Sequence, residues 1–363
     1  MSSLERIDSA ISASPTPPAG EVAGPAGSEP DLTRRASGRR SQEVSAPPRE
    51  RKREIVTYWL YRAAERVINA LPRWLTMPSA AAVGNVAFDL AGPKRDLIAE
   101  NLAHPLRLPP DDPRVRRAAR RAFRNYAKYL VDMMRIGEMT ERQAAALVDL
   151  ENVELLKTAS AEGKGVLLCT VHVGGMDLIG PGLKLTGESI HVVADDTTYG
   201  RLYDHLAEAR ARQHIFLIGW RNLRGLFRAL RAGGNLVLFC DGGYRAGDVP
   251  VELCGEATTL PLGPATLAAK TGAPMLPVAC SRTPDDRFVA RGLPIIHCTS
   301  TEPAELYRAS QALADALGGV IAEDPGQWYM FRPVWPQTDA DRARAREALA
   351  AARRGEDWTQ LGG

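Results

Sequence analysis

A histidine stands where an apolar run ends. In GVLLCTVHVGGMDLIG, residues 165–180, the run stops near Val171, His172 occupies the turn, Gly174 and Gly175 follow, and Asp177 opens what reads as a helix. A histidine at its ordinary pKa of about 6.5 acts as a base near neutral pH, and a neighbouring carboxylate fixes its tautomer and stabilises the imidazolium. The turn is long enough to return the Asp177 carboxylate to the His172 ring. The N–H groups of Gly174 and Gly175, close to a helix start, are expected to face a developing oxyanion. The same pattern also arises from a helix-capping aspartate and an incidental loop histidine, and the motif alone leaves both readings open.

Chemistry of this kind needs a scaffold that holds loops at the ends of strands. GVLLCTV, IHVVAD, IFLIG, NLVLFCD, PMLPVAC and LPIIHC read as buried strands, and helical segments over 200–212 and 222–232 separate some of them. Buried runs alternating with helices predict an α/β fold, a mainly parallel central sheet flanked by helices, with its chemistry in loops after the carboxyl ends of strands. Residues 54–150 read as a helical N-terminal layer, in front of an α/β catalytic core over 151–337 and a helical extension over 338–363. Within that layer, Val56, Trp59, Leu60, Ala63, Val67 and Leu71 recur at helical spacing, with Tyr58, Tyr61, Trp74, Arg62, Arg66 and Arg73 around them. That pattern suits either a helix buried against the core or one lying on a membrane surface. A second helix is expected over 113–136. Residues 1–53, rich in Ser, Pro, Ala, Gly and Arg, lack the apolar content to offset ordering entropy and read as a disordered basic tail.

Bulk properties narrow the field less. The 46 basic and 43 acidic residues nearly cancel, giving +3, so neither a nucleic-acid binder nor an acidic-tail protein follows from charge. Local charge is more telling. Arg221, Arg224, Arg228 and Arg231 make a basic stripe opposite Leu223, Leu226, Phe227 and Leu230, either a solvated face or a contact for CoA phosphates, an acidic carrier protein or anionic lipid. The five cysteines are dispersed and read as buried thiols in a reducing compartment, and no spacing suggests a metal site. His191, His205, His214 and His297 read as structural or surface residues. No secretory signal and no spanning segment is evident.

Taken together, His172-x4-Asp177, the block CGEATTLPLGPATLAAKTGAPMLPV and the closing EDPGQWYMFRPVW resemble the ordered motifs of the lysophospholipid acyltransferase superfamily. The likeness is to the branch containing lipid A lauroyl acyltransferases and phosphatidylinositol mannoside acyltransferases, and it covers most of residues 54–337. The resemblance implies that His172 takes a proton from a lipid hydroxyl, which attacks the thioester of acyl-CoA or acyl carrier protein, while Asp177 holds the imidazole. It also sets Asp195 and Asp241 where the mannoside enzymes usually carry glutamates near the acceptor, and Arg210 on a site-lining arginine. It implies no metal or cofactor, and a peripheral enzyme on the cytoplasmic face of the inner membrane. Two positions depart from the pattern: Asp241 is one methylene shorter than the family's glutamate, and Gly175-Met176 replaces Asn-Trp. An acyl-thioester hydrolase and an inactive lipid-binding scaffold are the rival readings.

Overall fold

The computed structural model describes residues 52–178, 180, 190–194 and 200–361, so the expected tail, all but its last two residues, and Asp195 lie outside the described residues. Among the described residues four helices come first: α1 (Lys52–Ala70), α2 (Arg73–Leu90), α3 (Gly92–Leu106) and α4 (Pro113–Arg135). The start of α4 is fixed locally. Asp112 accepts the Arg114 N–H at 2.7 Å, and Pro113 occupies a position where no backbone donor is needed. Its buried side, Val115, Ala119, Ala122 and Phe123, has the spacing of one helix face and joins the main core.

After α5 (Glu141–Leu147) the chain alternates β1 (Val148–Glu151), α6 (Val153–Ala161), β2 (Val166–Thr170), β3 (Ile190–Ala194), α7 (Gly200–Ala211), β4 (Ile215–Gly219), α8 (Leu223–Arg231) and β5 (Asn235–Phe239). A hairpin, β6 (Val249–Leu253) and β7 (Glu256–Leu260), precedes α9 (Leu262–Thr271), β8 (Met275–Arg282), β9 (Phe288–Gly292), α10 (Pro303–Glu323) and α11 (Asp339–Arg353). The main sheet has the order β1-β9-β8-β2-β5-β3-β4, and every neighbouring pair is parallel except β8 with β9. The expected α/β fold with a mainly parallel sheet is therefore present. Its two faces carry separate buried clusters, Leu167, Cys169, Leu236 and Leu238 on one side and Val166, Leu168, Val237 and Leu276 on the other. That alternation is the period of a strand buried on both faces.

The expected strand LPIIHC is not one. Residues 293–298 make only an isolated bridge, Ile296 to Met275. The place beside β8 is taken by β9, because a tight turn, in which Thr283 N–H donates to Arg287 O at 2.9 Å, sends the chain straight back antiparallel. The β6–β7 hairpin, of which the sequence reading covered only β7 as part of a motif block, stands apart from the main sheet and packs against α10 and α11. All five cysteines are free thiols, and four are buried. His205 and His297 meet Glu65 at 2.9 Å and Glu162 at 3.0 Å through the fold.

Candidate active site

His172 and Asp241 meet because of strand register. Thr170 and Phe239 are paired partners at the ends of the parallel neighbours β2 and β5, and each of the two residues stands two positions beyond its pair. A period of two returns both side chains to the same side, so groups 69 positions apart in the chain come into contact. The Asp241 Oδ1 lies 2.7 Å from His172 Nδ1, while its Oδ2 accepts the His172 backbone N–H at 2.9 Å and the Trp328 indole N–H at 2.8 Å. Asp241 is 2% exposed, whereas the His172 side chain is 38% exposed. A buried, ionised carboxylate accepting from Nδ1–H leaves Nε2 as the lone-pair nitrogen. That nitrogen has no hydrogen bond among the described residues. The ring also stacks on Phe239, centroids 4.4 Å apart.

Electrostatics follow from this contact. Burial disfavours the imidazolium, but the Asp241 carboxylate outweighs it and holds the His172 pKa above its ordinary value. Burial likewise opposes ionisation of Asp241, and the His172 ring, its backbone N–H and the Trp328 indole together keep that carboxyl below the usual range. Trp328 is held by the closing segment itself, since Tyr329 N–H donates to His172 O at 2.8 Å and Val173 bridges Trp328 in antiparallel fashion.

Two expectations about this loop need correction. Asp177 does not carry the imidazole hydrogen bond. Its carboxylate is taken by Arg210 Nε at 2.9 Å and by the Tyr129 hydroxyl, which ties the turn after β2 to α7 and α4. Burial raises the Asp177 pKa, but Arg210, the Tyr129 hydroxyl and His172 together hold it below the usual carboxylate range, so the acid stays ionised within its ion pair. Asp177 lies in a short 3-10 turn, Met176–Leu178, which directs its side chain away from the strand-end position that Asp241 fills. The glycine N–H groups are not free for an oxyanion either: Gly174 donates to Gln327 O at 3.1 Å and Gly175 to Cys280 O at 2.8 Å. Their glycine character serves close approach instead. Gly174 has φ +63 and a Cβ there would lie 2.0 Å from Cys280 O, and one on Gly175 would lie 2.3 Å from the Phe288 ring.

Arg210 is 8% exposed, and its guanidinium is committed to Asp177, which raises its pKa above the ordinary arginine value against the effect of burial. Residues that sequence reasoning did not single out complete the surroundings. Tyr129 bonds Asp177, and the rings of Tyr126, Tyr129, Tyr329 and Phe331 stand 5.0–6.0 Å apart, forming an aromatic wall beside the turn. Helix α4, which supplies two of these rings, is fixed by buried ion pairs: Asp132 binds Arg282 at 2.6 Å and also binds Arg73. Among the described residues no group of three or more potential metal ligands assembles.

A family model described as bacterial lipid A biosynthesis acyltransferase matches residues 46–337. The chain is similar to the phosphatidylinositol mannoside acyltransferase of Mycobacterium tuberculosis (strain CDC 1551 / Oshkosh), 28% identical over 333 residues that cover 87% of this chain and 99% of the relative. It is also similar to the phosphatidylinositol mannoside acyltransferase of Mycolicibacterium smegmatis, 28% identical over 295 residues, 79% of this chain and 93% of the relative.

Proposed function

Because the chain belongs to the bacterial lipid A biosynthesis acyltransferase family and is therefore an acyltransferase of lipids or glycolipids, we propose that it moves a fatty acyl group from a thioester, acyl-CoA or acyl carrier protein, onto a hydroxyl of a glycosylated phospholipid. The observation that carries the reading is the His172–Asp241 pair: a half-exposed imidazole backed by a buried carboxylate at the carboxyl edge of the sheet. Nε2 takes the proton of the acceptor hydroxyl as its oxygen bonds to the thioester carbonyl carbon. The tetrahedral intermediate then collapses, the C–S bond breaks, and the imidazolium returns the proton to the departing thiolate. Asp241 holds the tautomer and stabilises the imidazolium. Kinship with phosphatidylinositol mannoside acyltransferases supports a mannosylated phosphoinositide as the acceptor class.

The test uses the full chain, palmitoyl-CoA and mixed vesicles containing a mannosylated phosphoinositide, read by mass spectrometry for a product heavier by one acyl chain. His172→Ala is expected to lower turnover by about 10²–10⁴-fold. Equal thioester consumption with and without the acceptor lipid would mean hydrolysis in place of transfer. Since the base must be neutral and its pKa is raised, kcat/KM falls as pH drops through that raised value. The acid limb of the profile is thus expected above about pH 6.5.

In this proposal the enzyme works on the cytoplasmic surface of the inner membrane, docked through α1 and α2. Eleven large apolar side chains are strongly exposed among the described residues, and ten of them, from Val56 to Leu90, lie on or between these two helices. Trp59 and Trp74, 55% and 76% exposed, have the ring chemistry of the lipid headgroup layer, and Arg66 adds positive charge. No described helix is long and apolar enough to cross a membrane. Val83→Glu with Val86→Glu, at positions 64% and 58% exposed, is expected to lower partitioning onto anionic vesicles at least about tenfold. Thermal unfolding should not change, and unchanged sedimentation with vesicles would refute the docking face.

A further inference from the structure

The basic stripe of α8 is a real and unpartnered surface. Arg221, Arg224, Arg228 and Arg231 are all exposed, and none has a hydrogen-bonding or ion-pair partner among the described residues. Two of them hold the guanidinium over a ring, Arg221 over Trp220 at 4.9 Å and Arg231 over Phe227 at 6.0 Å, while the residues stay exposed. The opposite side, Leu226, Phe227 and Leu230, is sealed into the core, which fixes the direction of the stripe. No acidic residue occurs from Arg221 to Arg231 to neutralise it.

We propose that this stripe docks an acidic acyl carrier protein, which delivers the acyl thioester to His172 on its flexible arm. The inference rests on the transfer reading only through the thioester donor. Topology supplies the first argument. β4 ends beside β3 at the same edge where His172 and Asp241 follow β2 and β5, and α8 runs back from there to the start of β5. Arg221, in the turn before the helix, therefore stands at the reacting edge and Arg231 at the far edge, with Arg224 and Arg231 roughly 10 Å apart at 1.5 Å per residue. Geometry supplies the second. Three cations strung along α8, each separated from the next by about a helical turn, with Arg221 in the turn before it, match a row of carboxylates on another helix, whereas the clustered phosphates of CoA call for donors that converge. Position bears on the same point: α7 steps the chain outward from β3 to β4 and α8 steps it back to β5, so crossovers of one hand set them on opposite faces of the sheet. α1 leans on α7, which places the stripe across the sheet from α1, while α2 shares the buried cluster beneath α8 through Phe88.

The test reads binding and transfer separately, with the full chain and an acyl carrier protein carrying a palmitoyl phosphopantetheine thioester. Wild type should bind it with an association rate that falls steeply with added salt. Arg224→Glu, Arg228→Glu and Arg231→Glu combined should weaken binding by at least about tenfold, and the matching Gln variants by less. A carrier protein with its acidic helix residues changed to Lys should regain affinity for the Glu variant. Transfer from palmitoyl-CoA should change less than about threefold, and circular dichroism should report an unaltered fold. Absence of carrier binding by wild type, or binding unaffected by the substitutions, overturns the proposal. An equal rise in KM for palmitoyl-CoA would assign the stripe to nucleotide phosphates, and loss of vesicle binding would assign it to lipid; either result overturns it. If carrier binding behaves as expected but no lipid is acylated from either donor, the docking surface stands and the transfer reading falls.

Discussion

Asp241→Asn should lower kcat/KM by about 10³–10⁴-fold while leaving the fold and its stability nearly unchanged. The orientation of the new amide decides the effect. Two donors, the His172 backbone N–H and the Trp328 indole N–H, converge on Oδ2, and only the ring meets Oδ1. The amide oxygen therefore turns toward the two donors, and its NH2 group is left facing Nδ1. That ring nitrogen must then accept, which moves its proton to Nε2 and removes the lone pair that takes the acceptor hydroxyl's proton. Side-chain volume and two of three hydrogen bonds are retained, so a loss of activity without a loss of stability is the signature. The residual activity should also show an acid limb at lower pH than wild type, because the carboxylate that offsets burial of the imidazolium is gone. Wild-type kcat/KM in this variant would remove Asp241 from the mechanism.

The division of labour between the two aspartates marks where sequence reading stops. His172 was legible because it follows a buried run and precedes two glycines, a local pattern that a strand-end loop imposes. The sheet class and the helices over 113–135 and 200–211 were legible too, from local periodicity. The imidazole's partner was not. Asp177 is five positions from His172 in the chain, and Asp241 is 69 positions away, but the latter becomes its neighbour once β2 and β5 pair. Strand order is a property of the whole sheet, and no spacing in one sequence encodes it. The same holds for Gly174 and Gly175: a glycine is readable as close backbone approach, but whether that approach serves a substrate or Cys280 and Phe288 depends on which strand lies behind it. Tyr129 carried no signal at all, since one tyrosine on a helix rich in arginine looks like any other half-buried ring.

Asp177→Ala is expected to produce the opposite signature, a loss of stability of about 3–5 kcal/mol in urea unfolding. The side chains of Asp177 and Arg210 are 15% and 10% exposed, so removing the carboxylate strands a guanidinium with little access to water and leaves the Tyr129 hydroxyl without its acceptor. The turn after β2 is then no longer held by α4 and α7, and activity falls because His172 loses its support rather than its base partner. A double variant separates the two causes. Asp177→Ala with Arg210→Met removes both charges, and should be more stable than Asp177→Ala alone by about 1–3 kcal/mol, since no uncompensated ion stays buried. The position of the acid limb should follow Asp241 and move far less in either variant, because the Asp241 contact outweighs the Asp177 contribution to the His172 pKa. A large fall in kcat for Asp177→Asn at unchanged stability, with the acid limb displaced, would instead return the imidazole to the aspartate nearest to it in sequence.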